Sequence, residues 1–198
     1  MTYTPSELPE QWRRDRHIET RLRGQHLELA ATWGLFSPKD IDEGSDLLLR
    51  HLEVNPDDRC LDLGCGYGVL GLTVAKLAPR GHVTLVDKDF VAVEYSRKNA
   101  RANAVENTET LLSNGLSAVL DRRFDLIVSN VPAKVGKEMW HIMLEDSRRT
   151  LTPGGRIVVV TINGLRPFIK RAFTETFGSY KKLKQGKTYT VAMAVSGC

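Results

Sequence analysis

The sequence predicts a doubly wound α/β fold: a mostly parallel, seven-stranded sheet with an antiparallel C-terminal strand, preceded by an N-terminal β-hairpin. Three observations predict it. After residue 58, apolar runs alternate with helix-period segments, the pattern of right-handed β-α-β crossovers. The run Arg59-Cys60-Leu61-Asp62-Leu63 stops at a glycine-rich turn that opens a helix. Tyr180–Gln185 and Thr188–Val195 are two strand-like runs joined through Gly186 with no helix between them, so they form a hairpin and reverse one strand.

Taken in order, residues 17–31 alternate with period two about Arg23-Gly24, through Ile18, Thr20 and Leu22, then Leu27, Leu29 and Ala31, which reads as a small hairpin. Trp33-Gly34-Leu35-Phe36-Ser37 leads into Asp42-Glu43-Gly44-Ser45, an N-cap for the helix carrying Leu47-Leu48-Leu49. Strands follow near 59–64, 82–87, 108–113, 124–130 and 156–162, with helices near 68–78, 90–103, 136–151 and 165–177 and a short turn around 116–120. Pro153-Gly154-Gly155 is expected to break the chain before Ile157-Val158-Val159-Val160, whose unrelieved apolarity marks a central strand buried on both faces. The sheet is Rossmann-like, and the expected division is an extension over 1–33 followed by one domain over 34–198.

Composition narrows the class. With 198 residues and 41% apolar content the chain suits one domain with an appended element, and no run approaches the roughly 20 apolar residues of a membrane span. Met1-Thr2-Tyr3-Thr4-Pro5-Ser6-Glu7 lacks the basic and apolar regions of a secretory signal. Cys60, Cys65 and Cys198 are odd in number, and Cys60 and Cys65 flank a strand about 16 Å long if extended. Free thiols and a cytoplasmic address are expected. His17, His26, His51, His82 and His141 show no ligand spacing, so no metal is expected. The net charge of +4 is unevenly spread. Arg166, Lys170, Arg171, Lys181, Lys182, Lys184 and Lys187 face only Glu175, and Arg13, Arg14, Arg16, Arg21 and Arg23 face only Asp15 and Glu19. Each stretch suits contact with nucleic-acid phosphates or is ordinary solvated surface.

The chemistry concentrates in Asp62-Leu63-Gly64-Cys65-Gly66-Tyr67-Gly68 and in Asp87, which ends the next strand. Glycines let the backbone approach a ligand, and the helix behind them begins with unpaired N–H groups. A carboxylate nineteen positions after Gly68, at a neighbouring strand tip, suits the two hydroxyls of a ribose. A nicotinamide site expects Gly-x-Gly-x-x-Gly and would need glycine at 69, where Val69 stands. S-adenosylmethionine carries no pyrophosphate, and Asp62 suits the ammonium of its methionine part. A purely structural glycine turn is the alternative.

In Gly34-Leu35-Phe36-Ser37, Asp42-x-Gly44-Ser45, the Asp62–Gly71 block, Asp87 and Ser129-Asn130-Val131-Pro132, the chain resembles the class I S-adenosylmethionine-dependent methyltransferases. Within them it resembles the small-methyltransferase-domain group, which includes ribosomal RNA guanine-N2 methyltransferases. The resemblance runs from about Gly34 to Val195. It implies that Asp62, Gly64, Cys65, Gly66 and Gly68 line the methionine side and that Asp87 and Lys88 meet the ribose. It also implies that Asn114 lies by the adenine, with a turn role as its alternative, and that Phe36 and Ser45 cover the cofactor, Ser45 alternatively being a helix cap.

The resemblance further implies that Asn130, Val131 and Pro132 form the catalytic motif. The Asn130 side-chain oxygen and the carbonyl of Val131 would hold the two N–H groups of an acceptor amine, aiming its lone pair at the sulfonium methyl. The family usually has Asn-Pro-Pro followed by an aromatic. Here Val131 loses proline's fixed φ, and Ala133 lacks a ring whose stacking on a base is worth roughly 1–3 kcal/mol. Trp33, Phe36 or Trp140 would either supply another ring or pack internally, and Lys134 and Lys137 would meet a phosphate or carboxylate or lie idle. The expected activity is N-methylation of an exocyclic amine of RNA. Methylation of a small molecule or a protein side-chain amide, and a non-catalytic cofactor-binding scaffold, remain alternatives.

Overall fold

A computed structural model describes residues 15–131 and 136–197. Strands β1 (Arg16–Leu22) and β2 (Gln25–Ala31) form the hairpin, followed by α1 (Glu43–His51). Then come β3 (Arg59–Leu63), α2 (Val69–Leu77), β4 (His82–Asp87), α3 (Phe90–Ala102), β5 (Thr108–Leu112) and β6 (Phe124–Asn130). The chain closes with α4 (Lys137–Thr150), β7 (Leu151–Ile162), a 3-10 turn over Asn163–Leu165, α5 (Arg166–Phe177), β8 (Lys181–Gln185) and β9 (Tyr189–Val195). The seven-stranded sheet has the order β5-β4-β3-β6-β7-β9-β8. Only β9 runs against its neighbours, antiparallel to both β7 and β8. That is the doubly wound sheet with a reversed strand that the sequence predicts. Among the described residues no helix is long and apolar enough to cross a membrane.

Period-two alternation divides the sheet's apolar side chains between two cores. Cys60, Leu126, Val128, Val158 and Val160 pack on one face with Leu48 and Leu49 of α1, Leu72 and Val74 of α2, and Leu27 and Leu29 of the hairpin. Leu61, Leu63, Ile127, Ile157 and Val159 pack on the other with Trp140 and Leu144 of α4 and Ile169 and Phe173 of α5. The hairpin therefore completes the first core. Its turn carries Arg23 at φ 51° and Gly24 at φ 80°, a left-handed pair suited to a two-residue loop.

Two expectations are corrected. Pro153-Gly154-Gly155 does not end the chain's run before β7 but lies within that strand, which spans Leu151–Ile162. Phe124 pairs with Leu151 while Leu126 pairs with Arg156, so the extra residues are absorbed as an irregularity. Long-range bonds hold it: Gly154 N–H donates to Ser196 O at 3.1 Å and Ser196 N–H to Gly155 O at 2.8 Å. The second concerns Arg23, whose guanidinium is not spare charge. It donates to the carbonyls of Leu49 at 2.7 Å and Leu52 at 2.5 Å at the end of α1, the Leu49 carbonyl accepting from Leu52 N–H as well. Arg13, Arg14 and Cys198 lie outside the described residues.

Candidate active site

The glycine turn between β3 and α2 bends through Gly64 at φ 76°, Gly66 at φ 53° and Gly68 at φ 100°, all left-handed. The N–H groups of Gly64 and Cys65 both donate to Val86 O, at 2.8 and 3.0 Å, stitching the turn to the end of β4. Asp87 fastens the same junction from its side chain. Its Oδ2 accepts from Gly66 N–H and its Oδ1 from Asp89 N–H, each at 2.9 Å. The carboxylate is half-buried, with acceptor capacity to spare.

Asp62 is fully buried beneath this turn. Its Oδ2 accepts from Gly71 N–H at 2.7 Å, whereas its Oδ1 has no partner among the described residues. Burial raises its pKa to about 7, the Gly71 bond opposing and the Asp87 charge adding to the rise. Gly71 makes this possible: a Cβ there would lie 2.4 Å from Leu85 Cδ2 and 2.9 Å from Asp62 Oδ2. A buried carboxylate oxygen without a donor is costly unless something pairs with it. Asp62 is among the residues that line the cavity described below, where a cation or N–H donor of a ligand is the fitting partner.

At the tip of β6, the Asn130 amide is oriented by its neighbours. Its Nδ2 donates to Asp42 Oδ2 at 2.7 Å and to Ser45 Oγ at 2.9 Å. Asp42 is the N-cap of α1, accepting from Ser45 N–H at 3.0 Å on Oδ2 and from the Tyr189 hydroxyl at 3.1 Å on Oδ1. Both Asn130 donors are thereby occupied and its Oδ1 is the end left to accept. Next door, Val131 is buried and its N–H donates to Val160 O at 3.2 Å. Proline has no such donor, so the flexibility that valine introduces is offset by a ladder bond.

The segment before α1 folds over the glycine turn. The Tyr67 hydroxyl donates to Ser37 O at 3.1 Å, and Ser37, at φ 46°, turns its Oγ onto Asp40 O at 2.7 Å. Burial and the nearby carboxylates of Asp42 and Asp40 raise the Tyr67 pKa to about 12, keeping it a donor.

Between these pieces lies a cavity of about 340 Å³, within the size of small-molecule sites. Asp62, Gly64, Cys65, Gly66, Asp87, Lys88, Asn114, Asn130, Phe36 and Ser45 all line it. Gly68 does not: it caps α2, where a Cβ would press on Leu72 and Ser96 at 3.0–3.1 Å. Val131 is likewise set back in the core, and Pro132, Ala133 and Lys134 lie outside the described residues. Trp33 and Phe36 are mostly exposed, Phe36 at 61%, while Trp140 is core. Sequence reasoning gave Asp42 no place in the site, reading it as a cap and as part of the Asp42-x-Gly44-Ser45 resemblance, and it missed Tyr189, Tyr67 and the cavity residues Met139 and Met143. The Asp42-x-Gly44-Ser45 spacing was the available signal for Asp42. Among the described residues no group of three or more His, Cys, Asp or Glu is arranged to hold a metal ion.

Residues 26–193 match the methyltransferase small domain family. A ribosomal RNA small subunit methyltransferase C of Cronobacter sakazakii is 37% identical over 168 residues, 83% of this chain and 48% of that protein. A ribosomal RNA large subunit methyltransferase G of Streptomyces avermitilis is 33% identical over 168 residues, 82% of this chain and 43% of that protein. Among solved structures, a T. thermophilus 16S rRNA N2 methyltransferase in complex with AdoMet and guanosine superposes with a TM-score of 0.83 at 30% identity. It is covered over 92% of this chain and 50% of that one. The chain thus spans about half the length of the relatives it matches.

Proposed function

Because this chain belongs to the methyltransferase small domain family, we propose that it transfers the methyl group of S-adenosylmethionine to an exocyclic amine of RNA, with ribosomal guanine N2 as the leading acceptor. The observation that carries the reading is the Asn130 amide, its nitrogen spent on Asp42 and Ser45 and its oxygen left to accept in the cavity that Asp62 and Asp87 also line.

The residues fit the cofactor. The unpartnered Asp62 Oδ1 suits the methionine ammonium, Asp87 suits the ribose hydroxyls, and Gly64 and Gly66 carry no side chain between backbone and ligand. Lys88, Asn114, Phe36 and Ser45 line the same cavity, Lys88 and Asn114 suiting the nucleoside and Phe36 and Ser45 the cover. S-adenosylmethionine supplies an electrophilic methyl on a positively charged sulfur. Asn130 Oδ1 accepts an N–H of the incoming amine and turns its lone pair toward that methyl, with the Val131 carbonyl as second acceptor. The nitrogen–methyl bond forms as the sulfur–methyl bond breaks, and the proton shed by the alkylated nitrogen passes to water. Orientation supplies the acceleration, and no strong base is needed.

Support for RNA comes from the relatives' names and from the charge on the last third of the chain. Arg166, Lys170, Lys181, Lys182, Lys184 and Lys187 are exposed, and among the described residues none has a carboxylate within ion-pair distance. β8 runs parallel to β7, so its Gln185–Lys187 end shares the sheet edge with Asn130. Arg16 and Arg21 of the hairpin are exposed too and supplement them. The cytoplasm is the matching compartment for ribosomal RNA and for the free Cys60 and Cys65.

Ala133 favours a second reading, transfer to a protein side-chain amide or small molecule, which needs no stacked base. Tritiated S-adenosylmethionine incubated with ribosomal RNA, cell protein and metabolite extract separates the two. Label in RNA that disappears with Asn130→Ala is expected. Label confined to protein or metabolites would replace the RNA reading with the second.

A further inference from the structure

We propose that Tyr189, at the start of β9, is a positioning residue that holds the Asp42 carboxylate in the direction from which it orients the Asn130 amide toward the acceptor. The inference rests on the N-methyltransferase reading and adds to it a residue of β9, which β7 alone separates from β6 in the sheet.

An asparagine amide has two nearly isosteric ends, and a half-turn about χ2 exchanges an acceptor for a donor. A site that must accept an N–H is therefore useful in only one of the two orientations. At Asn130 the choice is made by Asp42, whose carboxylate can only accept when ionised, so Nδ2 turns to it at 2.7 Å. Reversal would set the Asn130 oxygen against that carboxylate. Ser45 Oγ offers no such bias, because a hydroxyl both donates and accepts.

The direction of Asp42 is thus what matters, and donors from separate parts of the fold hold it. On Oδ2 the partners are Ser45 N–H from its own helix and the Asn130 amide itself. On Oδ1 the Tyr189 hydroxyl is the donor, at 3.1 Å and 147 residues away in sequence. Without it, that carboxylate oxygen has no donor among the described residues to stop its plane from swinging, and the geometry presented to Asn130 loosens. The ring is fixed as well as the hydroxyl. Gly44 sits against it so closely that a Cβ there would lie 3.0 Å from Tyr189 Cδ1 and 2.8 Å from Asp42 Oδ2. Tyr189 pairs with Ile162 at the end of β7, and Asn130 with Val160 of the same strand. The hydroxyl is therefore carried by the sheet, two residues along β7 from the pairing partner of the amide it serves.

Tyr189→Phe removes the hydroxyl and keeps the ring. Protein labelled with ¹⁵N-asparagine gives an Asn130 side-chain NH₂ pair, identified by its loss in Asn130→Ala. In Tyr189→Phe that pair should move upfield and exchange faster with water. The kcat for methyl transfer should fall about tenfold, while the KM for S-adenosylmethionine and the melting temperature stay close to wild type. An unmoved NH₂ pair overturns the proposal whatever happens to activity, and so does a moved pair with unchanged kcat. Should the wild-type protein methylate no acceptor at all, the function fails on that arm alone, and the resonance arm still decides whether Tyr189 orients Asn130.

Discussion

Replacing Asp62 by asparagine should stabilise the ligand-free protein while impairing cofactor binding, and the two effects have a shared and calculable pH dependence. Burial lifts the Asp62 carboxyl from 3.8 to about 7, the Gly71 N–H only partly opposing it. At about 1.36 kcal/mol per tenfold in acidity, holding this group ionised in the fold costs on the order of 4 kcal/mol relative to the unfolded chain. The folded-state value lies above the unfolded one. The cost is therefore absent below the ordinary carboxylate range, builds as pH rises toward 7 and is complete above it. Asparagine keeps an oxygen for Gly71 N–H and never ionises.

In thermal melts without ligand, Asp62→Asn should exceed wild type by about 10 °C at pH 8, taking roughly 2–4 °C per kcal/mol for a chain of this size. The gap should close as pH falls toward 4. For the wild-type protein, pairing with a methionine ammonium needs the charged carboxylate, so affinity for S-adenosylhomocysteine should drop about tenfold per pH unit below 7 and level off above it. Calorimetry at pH 6 in buffers of different ionisation enthalpy should detect close to one proton released on binding. A dissociation constant unchanged from pH 5.5 to 8.5, with no proton released, would refute the assignment of this carboxylate to the ligand.

Gly71→Ala should cost about 1–3 kcal/mol of stability by denaturant titration, because its methyl meets Leu85 at 2.4 Å and the carboxylate of Asp62 at 2.9 Å. Asp87→Ala should weaken S-adenosylhomocysteine binding at least about tenfold, near 1.4 kcal/mol, by calorimetry, since it removes the proposed ribose acceptor and releases Gly66 N–H. RNA affinity measured by filter binding should fall steeply with added salt, and changing Lys181, Lys182, Lys184 and Lys187 to glutamine should flatten that slope. A salt-independent affinity would remove the C-terminal lysines from the interface.

What the sequence made legible is what neighbouring residues decide. The glycine turn is spelled within five positions, and the left-handed φ values at Gly64, Gly66 and Gly68 are what that spelling demands. The strands and helices follow their own periodicities, and the reversed β9 follows from two strand-like runs too close together to hold a crossover helix. Pro153-Gly154-Gly155 misled for the complementary reason: as local punctuation it breaks a strand, yet Ser196, forty residues on, supplies the bonds that keep it in one. Arg23 read as surface charge until the carbonyls ending α1 were brought to it. The site divides along the same line. Asp62 and Asp87 belong to strand tips fixed by the turn, so their places could be read directly. Asp42 meets Asn130 across 88 residues of chain and Tyr189 meets Asp42 across 147; the Asp42-x-Gly44-Ser45 spacing hints at the first contact, and nothing local to a strand residue announces the second. Val131 departs from the family's proline and brings a backbone donor of its own. Proline would hold this position by fixing φ; valine instead offers an N–H that the sheet captures at Val160 O. The peptide joining Asn130 to Val131 is thereby tied to the sheet through a donor that proline lacks.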